Sequence, residues 1–124
     1  MSRRDRRRSG TALSVPEPLL AALARLHGPL EAPATVARLA QGVAALQMGL
    51  TQDRARFAGG SYLERADLRA AYQTYYLCAN APKLWPALDR LAAHLPEPFS
   101  VVELGGGPGT GVVGVGLWAR ANGR

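Results

Sequence analysis

The first half of the chain carries apolar residues at helical spacing. A leucine cluster follows Pro16 and Pro18, and His27-Gly28-Pro29 interrupts it, which predicts a short amphipathic helix. A second helix is predicted from Thr35, as its N-cap, because a stripe of apolar residues continues at the same period. The two groups are Leu19, Leu20, Leu23 and Leu26, then Val36, Leu39, Val43, Leu46 and Leu50.

Two more helices are predicted in the middle of the chain. The first covers residues 64–78, where three tyrosines fall on neighbouring turns with Leu68. The second follows Pro86, and Asn80-Ala81-Pro82 separates the two because proline lacks the amide hydrogen that a helix interior needs. The tyrosines either pack as one helix face or form a platform on which RNA bases stack. They are Tyr72, Tyr75 and Tyr76.

The pattern changes from helical to extended after Pro98. The sequence FSVVEL, Phe99 to Leu104, is a short β-rich run that predicts a buried strand. A glycine-rich turn follows, and residues 112–121 predict the start of another helix. Gly114 and Gly116 each disfavour that helix by about 1 kcal/mol relative to alanine. A strand, a glycine turn and a helix in this order are typical of a ligand-binding loop.

Basic residues are concentrated at the start of the chain. Fifteen Lys and Arg residues against nine acidic ones give a formal charge of +6. Residues 1–10 hold five arginines against one aspartate, which leaves +4 in this segment and +2 in the rest. We expect residues 1–12 to form a disordered tail that contacts RNA phosphates or is a solvated terminus, with a mitochondrial presequence as a further alternative. The arginines are Arg3, Arg4, Arg6, Arg7 and Arg8.

Simple counts exclude several classes of protein. No apolar run reaches the roughly 18 residues of a membrane-spanning helix. The single cysteine, Cys78, excludes an internal disulfide and any CxxC metal site. His27 and His94 lie far apart and show no ligand spacing, so the sequence predicts no metal site.

Three ligand classes compete for the glycine-rich turn. A phosphate-binding P-loop needs Gly-Lys-Ser/Thr after the turn, and no such sequence stands there. A dinucleotide loop needs G-x-G-x-x-G directly after the strand, but the register that fits, Gly109, Gly111 and Gly114, begins after the strand has ended. Read from the strand end, the spacing is G-x-G-x-G, at Gly105, Gly107 and Gly109. The dinucleotide loop and a purely structural turn both stay open.

An acidic residue, Glu103, stands two positions before the first glycine of this spacing. A carboxylate at the end of a buried strand loses hydration energy unless a hydrogen-bond donor compensates it. A cationic ligand would supply that compensation. S-adenosylmethionine, with an ammonium and a sulfonium group, is such a ligand.

The sequence V-V-E-L-G-G-G-P-G-T-G, Val101 to Gly111, resembles the first motif of the class I S-adenosylmethionine-dependent methyltransferases. The resemblance implies that Glu103 helps to hold the methionine end of the cofactor. It also implies that three glycines line the cofactor, namely Gly105, Gly107 and Gly109.

The stretch before the motif resembles a narrower family. Residues 61–80 are S-Y-L-E-R-A-D-L-R-A-A-Y-Q-T-Y-Y-L-C-A-N, and residues 60–113 together resemble the methyltransferase-like proteins associated with the small ribosomal subunit. That family occurs in bacteria and mitochondria and implies a Rossmann-like domain that acts on or near small-subunit ribosomal RNA. Its members tend to carry a cysteine cluster for an iron–sulfur group, which Cys78 alone cannot supply.

These observations predict an α/β fold. We expect a helical region, residues 13–98, followed by the first strand, glycine loop and first helix of a Rossmann-like domain, residues 99–124. Such a fold needs several parallel strands with crossovers, so we expect this chain to be the N-terminal portion of a longer enzyme. The acid that binds the ribose hydroxyls, due about 20 residues after the motif, is missing from residues 120–124. The chain alone is therefore expected neither to methylate nor to bind the cofactor tightly.

Two functions follow as hypotheses. In the first, the chain is part of a ribosome-associated methyltransferase whose catalytic residues the sequence does not identify. In the second, it is a non-catalytic assembly factor or remnant whose arginine tail and helices bind ribosomal RNA. Either function predicts the small ribosomal subunit as partner, no membrane or disulfide-linked partner, and a cytoplasmic or mitochondrial-matrix location.

Overall fold

The computed structural model describes residues 14–124, and every regular element in this part of the chain is helical. Helix α1 covers Glu17–His27, where the leucine spacing predicted it, and α2 covers Pro33–Thr51. Two 3-10 turns, Arg54–Phe57 and Tyr62–Glu64, then lead to the middle of the chain.

A single helical run follows and changes its winding several times. The predicted break around Pro82 is a change of helix type, because this proline stands at the start of a 3-10 turn, where its missing amide hydrogen costs little. The segments are α3 (Ala66–Ala71), a π-helix (Tyr72–Leu77), α4 (Cys78–Asn80), a 3-10 turn (Ala81–Leu84), α5 (Trp85–Leu91) and a 3-10 turn (Ala92–His94).

Two apolar clusters hold the helices together. The first joins α1 to the end of the π-helix, and Val113 and Leu117 pack against it. The second joins α2 to α3, with three tyrosines around it. Their buried members are Leu19, Leu23, Leu77 and Ala81 in the first cluster, and Leu46, Leu68 and Ala71 in the second.

Helices α2 and α3 approach closely at Gly42. A Cβ atom at this position would lie 2.8 Å from the Cβ of Ala71 and 3.0 Å from the carbonyl oxygen of Asp67. The predicted N-cap of α2 is wrong, because the helix begins at Pro33 and Thr35 is buried in its first turn. Proline suits the first position of a helix, since its fixed φ is already helical.

The last helix, α6 (Thr110–Ala121), follows the glycine-rich turn and confirms the helix predicted over residues 112–121. It packs against the 3-10 turn that begins at Ala81. The contact requires Gly114, because a Cβ there would lie 2.5 Å from the carbonyl oxygen of Ala81. The indole Nε1 of Trp85 donates a hydrogen bond of 2.9 Å to the Gly114 carbonyl. The glycine that disfavours the isolated helix thus allows its tertiary packing.

The α/β fold predicted from the sequence is wrong for the described residues. Residues 14–124 contain no strand, so the first strand of a Rossmann-like domain is not present there. The backbone of Phe99–Leu104 makes no hydrogen bond to the backbone of another segment within residues 14–124, and Val102 and Leu104 are 85% and 91% exposed. A β-rich sequence becomes a strand only when a neighbouring strand pairs with its backbone. The predicted tail, residues 1–12, lies outside the described residues.

Candidate functional site

The backbone of the glycine-rich turn explains the G-x-G-x-G spacing. Gly105, Gly107 and Gly109 have φ angles of +67°, +55° and +84°, and every other described residue from Phe99 to Thr110 has a negative φ. Residues with a side chain rarely adopt positive φ, so these three positions favour glycine. The three glycines predicted to line a cofactor are therefore the residues whose positive φ angles allow the backbone to form this turn.

The Glu103 carboxylate is held by the start of α6. Its Oε1 accepts a hydrogen bond of 2.7 Å from the Gly111 amide, and its Oε2 accepts one of 3.0 Å from the Val112 amide. These amides have no partner inside the helix, and the helix dipole favours a negative charge beside them. The sequence indicated that this acid needs donors, and the structure supplies them from the chain itself.

The turn closes tightly around this carboxylate. A Cβ at Gly106 would overlap the Glu103 carboxyl group, and a Cβ at Gly111 would lie 2.5 Å from its Oε1. Their positions in the sequence did not identify either residue as part of the site. The run of three consecutive glycines, followed by Gly111 just inside the helix, is the signal that could have indicated them.

The other side of the turn leaves room for a ligand. A Cβ at Gly105 or Gly109 would meet no described atom within 4 Å, whereas one at Gly107 would lie 3.3 Å from Leu63. A carboxylate oxygen has two lone pairs, and each Glu103 oxygen gives one to an α6 amide. The carboxylate therefore keeps lone pairs that can accept hydrogen bonds from a small donor group.

The segment before Glu103 is fixed along α6. The Phe99 ring lies 6.4 Å from the Trp118 ring, and the Arg124 guanidinium lies 5.7 Å from the Phe99 ring. Arg124 also donates hydrogen bonds to the carbonyls of Ala92 and Leu95. The segment thus contacts the end of α6 through Phe99 and the start of α6 through Glu103, and this attachment positions the acid.

Two of the three tyrosines predicted as either core or RNA platform are half-buried against the second apolar cluster. Tyr72 and Tyr76 belong to the second apolar cluster, with ring centres 5.3 Å apart, and Tyr75 is 56% exposed. Burial raises the pKa of the neighbouring Tyr62 hydroxyl, and the nearby Tyr72 and Tyr76 raise it further. The aromatic rings therefore stabilise the fold, and Tyr75 is the exposed member of the predicted set.

Arginines in the middle of the chain are engaged with neighbouring groups. Arg69 donates a hydrogen bond of 2.8 Å to the Leu63 carbonyl, and Arg65 lies 2.9 Å from the Asp67 carboxylate. The hydrogen bond from Arg65 is the largest cause of a lowered pKa at Asp67. The five arginines of the predicted RNA-binding tail lie outside residues 14–124.

An open apolar groove of about 510 Å³ lies between α1, α2 and the π-helix, and the sequence pattern did not predict it. Leu23, Val43, Tyr75 and Cys78 are among its lining residues. Burial raises the pKa of the Cys78 thiol, which favours the neutral form over the nucleophilic thiolate. The groove thus offers mainly apolar contact.

The described residues bring no metal ligands together. Within residues 14–124, no group of three His, Cys, Asp or Glu side chains is placed to hold a metal ion. The Nε2 of His27 lies 3.0 Å from the Oε1 of Gln73.

Among residues 14–124, no helix has the length and apolarity to span a bilayer.

Comparison of the chain with protein-family models, curated proteins and solved structures finds no match. The resemblance to ribosome-associated methyltransferases thus depends on the motif residues themselves.

Proposed function

We propose that Glu103 and the glycine turn bind the methionine end of S-adenosylmethionine, as part of a methyltransferase-like protein that acts on or near small-subunit ribosomal RNA. The observation that carries the proposal is the pairing of one carboxylate with three left-handed glycines, Gly105, Gly107 and Gly109. The cofactor would supply the methyl group, bound to a positively charged sulfur. The residues of the chain would bind and orient its amino-acid part.

The position of Glu103 supports this ligand over a dinucleotide. A pyrophosphate would need the amides at the start of α6, and the Glu103 carboxylate already accepts hydrogen bonds from Gly111 and Val112 there. A second negative charge at this point would be repelled. An ammonium group would instead be attracted, and it could donate to the remaining lone pairs of the carboxylate.

The proposal concerns the turn and its acid, and it does not require a parallel sheet in the described residues. An iron–sulfur cluster is not part of it, because Cys78 is the one cysteine of the chain.

The proposal is tested by NMR titration of the ¹⁵N-labelled chain with S-adenosylmethionine. We expect weak, saturable shifts at millimolar cofactor, confined to the amides of residues 103–112, and competition by free methionine. Glu103→Gln should weaken binding at least tenfold, whereas Glu31→Gln, an exposed acid between α1 and α2, should not change it. Absence of shifts in the glycine turn, or equal binding by the Glu103 variant, would contradict the proposal.

A second candidate is a non-catalytic RNA-binding assembly factor. The charge distribution favours it, because residues 1–10 hold +4 of the formal charge of +6. If the tail contacts phosphates, replacing its five arginines with alanine should flatten the dependence of RNA affinity on salt concentration, since fewer counterions are released. An unchanged slope would show that the tail does not contact RNA. The replaced residues are Arg3, Arg4, Arg6, Arg7 and Arg8.

A further inference from the structure

A glycine-rich turn that leads into a helix is the usual setting for phosphate binding in proteins. The free amides of the first helical turn point toward the ligand, and the helix dipole favours an anion. In this chain α6 has twelve residues and follows such a turn, so the general features of an anion site are present. The anion found there, however, belongs to the chain.

The Glu103 carboxylate occupies the place of that anion. Both of its oxygens accept hydrogen bonds from the first turn of α6, at 2.7 Å from Gly111 and 3.0 Å from Val112. Carboxylates and phosphates compete for the same donors because both present oxygens with negative charge. A phosphate could use these amides only if the Glu103 side chain moved away.

The turn is also shaped to keep this carboxylate in place. Gly106 and Gly111 lie so close to the Glu103 carboxyl group that a side chain at either position would overlap it. Next to them, the Thr110 hydroxyl oxygen is buried and has no hydrogen-bond partner among the described residues. This hydroxyl is a further donor at the same helix start, which the native side chains leave unused.

We infer that Glu103 is a specificity-determining residue that excludes phosphate and other anions from the glycine turn by occupying their position. The exclusion of anions does not depend on S-adenosylmethionine being the ligand, so it goes beyond the proposed function. The same carboxylate makes the open side of the turn selective for groups that donate hydrogen bonds or carry positive charge.

The test is binding of inorganic phosphate to the full chain, followed by NMR at constant ionic strength. The wild-type chain should show no saturable shifts at Gly111 and Val112. Glu103→Ala should bind phosphate saturably, with an affinity at least tenfold higher than any that the wild-type chain shows. The largest shifts should occur at these two amides and at Thr110. Glu31→Ala removes the same charge from an exposed loop and should behave as wild type.

Two further measurements keep the test decisive. Circular dichroism establishes whether each variant is folded. If the alanine variant unfolds, Glu103→Gln replaces it, because glutamine keeps the side-chain shape and removes the charge. This variant should bind phosphate more tightly than the wild type does. The inference is overturned if the wild type binds phosphate at these amides as well as the variants do. It is also overturned if the folded variants gain no phosphate binding. Neither result depends on whether S-adenosylmethionine binds, so this test and that of the proposed function fail independently.

Discussion

The packing of α6 against the Ala81 turn gives a sharp prediction about two glycines of one helix. Gly114 and Gly116 are two positions apart, and both disfavour an isolated helix. Their surroundings differ, because a Cβ at Gly114 would lie 2.5 Å from the Ala81 carbonyl oxygen, whereas one at Gly116 would meet no described atom within 4 Å. The same substitution should therefore have opposite effects at the two positions.

The magnitudes follow from three contributions. Replacing glycine by alanine inside a helix stabilises it by about 1 kcal/mol, and at Gly116 this is the whole effect. At Gly114 the added methyl group forces α6 away from the Ala81 turn, and such overpacking costs about 1–3 kcal/mol. The shift also weakens the hydrogen bond from Trp85 to the Gly114 carbonyl, worth about 1 kcal/mol. Together these contributions predict that Gly114→Ala lowers the free energy of unfolding by about 1–3 kcal/mol.

Urea unfolding followed by circular dichroism measures both effects. The two variants should differ by about 2–4 kcal/mol in the free energy of unfolding, with similar m-values, since both expose the same surface on unfolding. The fluorescence of Trp85 should change in the Gly114 variant alone. If both variants are stabilised equally, α6 does not pack through Gly114 and the reasoning is refuted.

Three other predictions concern the turn, the extended segment and the cysteine. Glu103→Gln should lower the free energy of unfolding by about 1–2 kcal/mol in low salt, because α6 loses a charged acceptor at its start; an unchanged urea midpoint would contradict this. Val102→Thr and Leu104→Thr should each change the free energy of unfolding by less than about 0.5 kcal/mol, because both side chains are exposed. A larger loss in urea unfolding would show that these side chains are buried. Cys78 should reach half-maximal alkylation by iodoacetamide at a higher pH than free cysteine, because burial raises its pKa; an equal or lower midpoint would show that the thiol is accessible.

The features that the sequence predicted correctly are local ones. The leucines around Leu23 predicted α1 because their spacing matches one face of a helix. The glycine-rich sequence predicted a turn before a helix, and α6 follows such a turn, in which Gly105, Gly107 and Gly109 have positive φ. In both cases the cause lies within a few residues of the chain, in helix periodicity and in the steric limits on φ.

The strand, which the sequence predicted wrongly, depends on distant residues. FSVVEL has strong β propensity, but a strand needs a partner for its backbone, and residues 14–124 provide none. The resemblance to a methyltransferase family stays a prediction.

The sequence by itself determined where most helices form and where the backbone must turn, because periodicity and φ preferences act between near neighbours. The sequence also predicted that Glu103 needs hydrogen-bond donors, but this prediction rested on a buried strand that residues 14–124 do not contain. Only the tertiary structure decided that those donors are the amides of Gly111 and Val112. It likewise decided that Gly42 and Gly114 are contact points between helices, since such contacts join residues far apart in the chain.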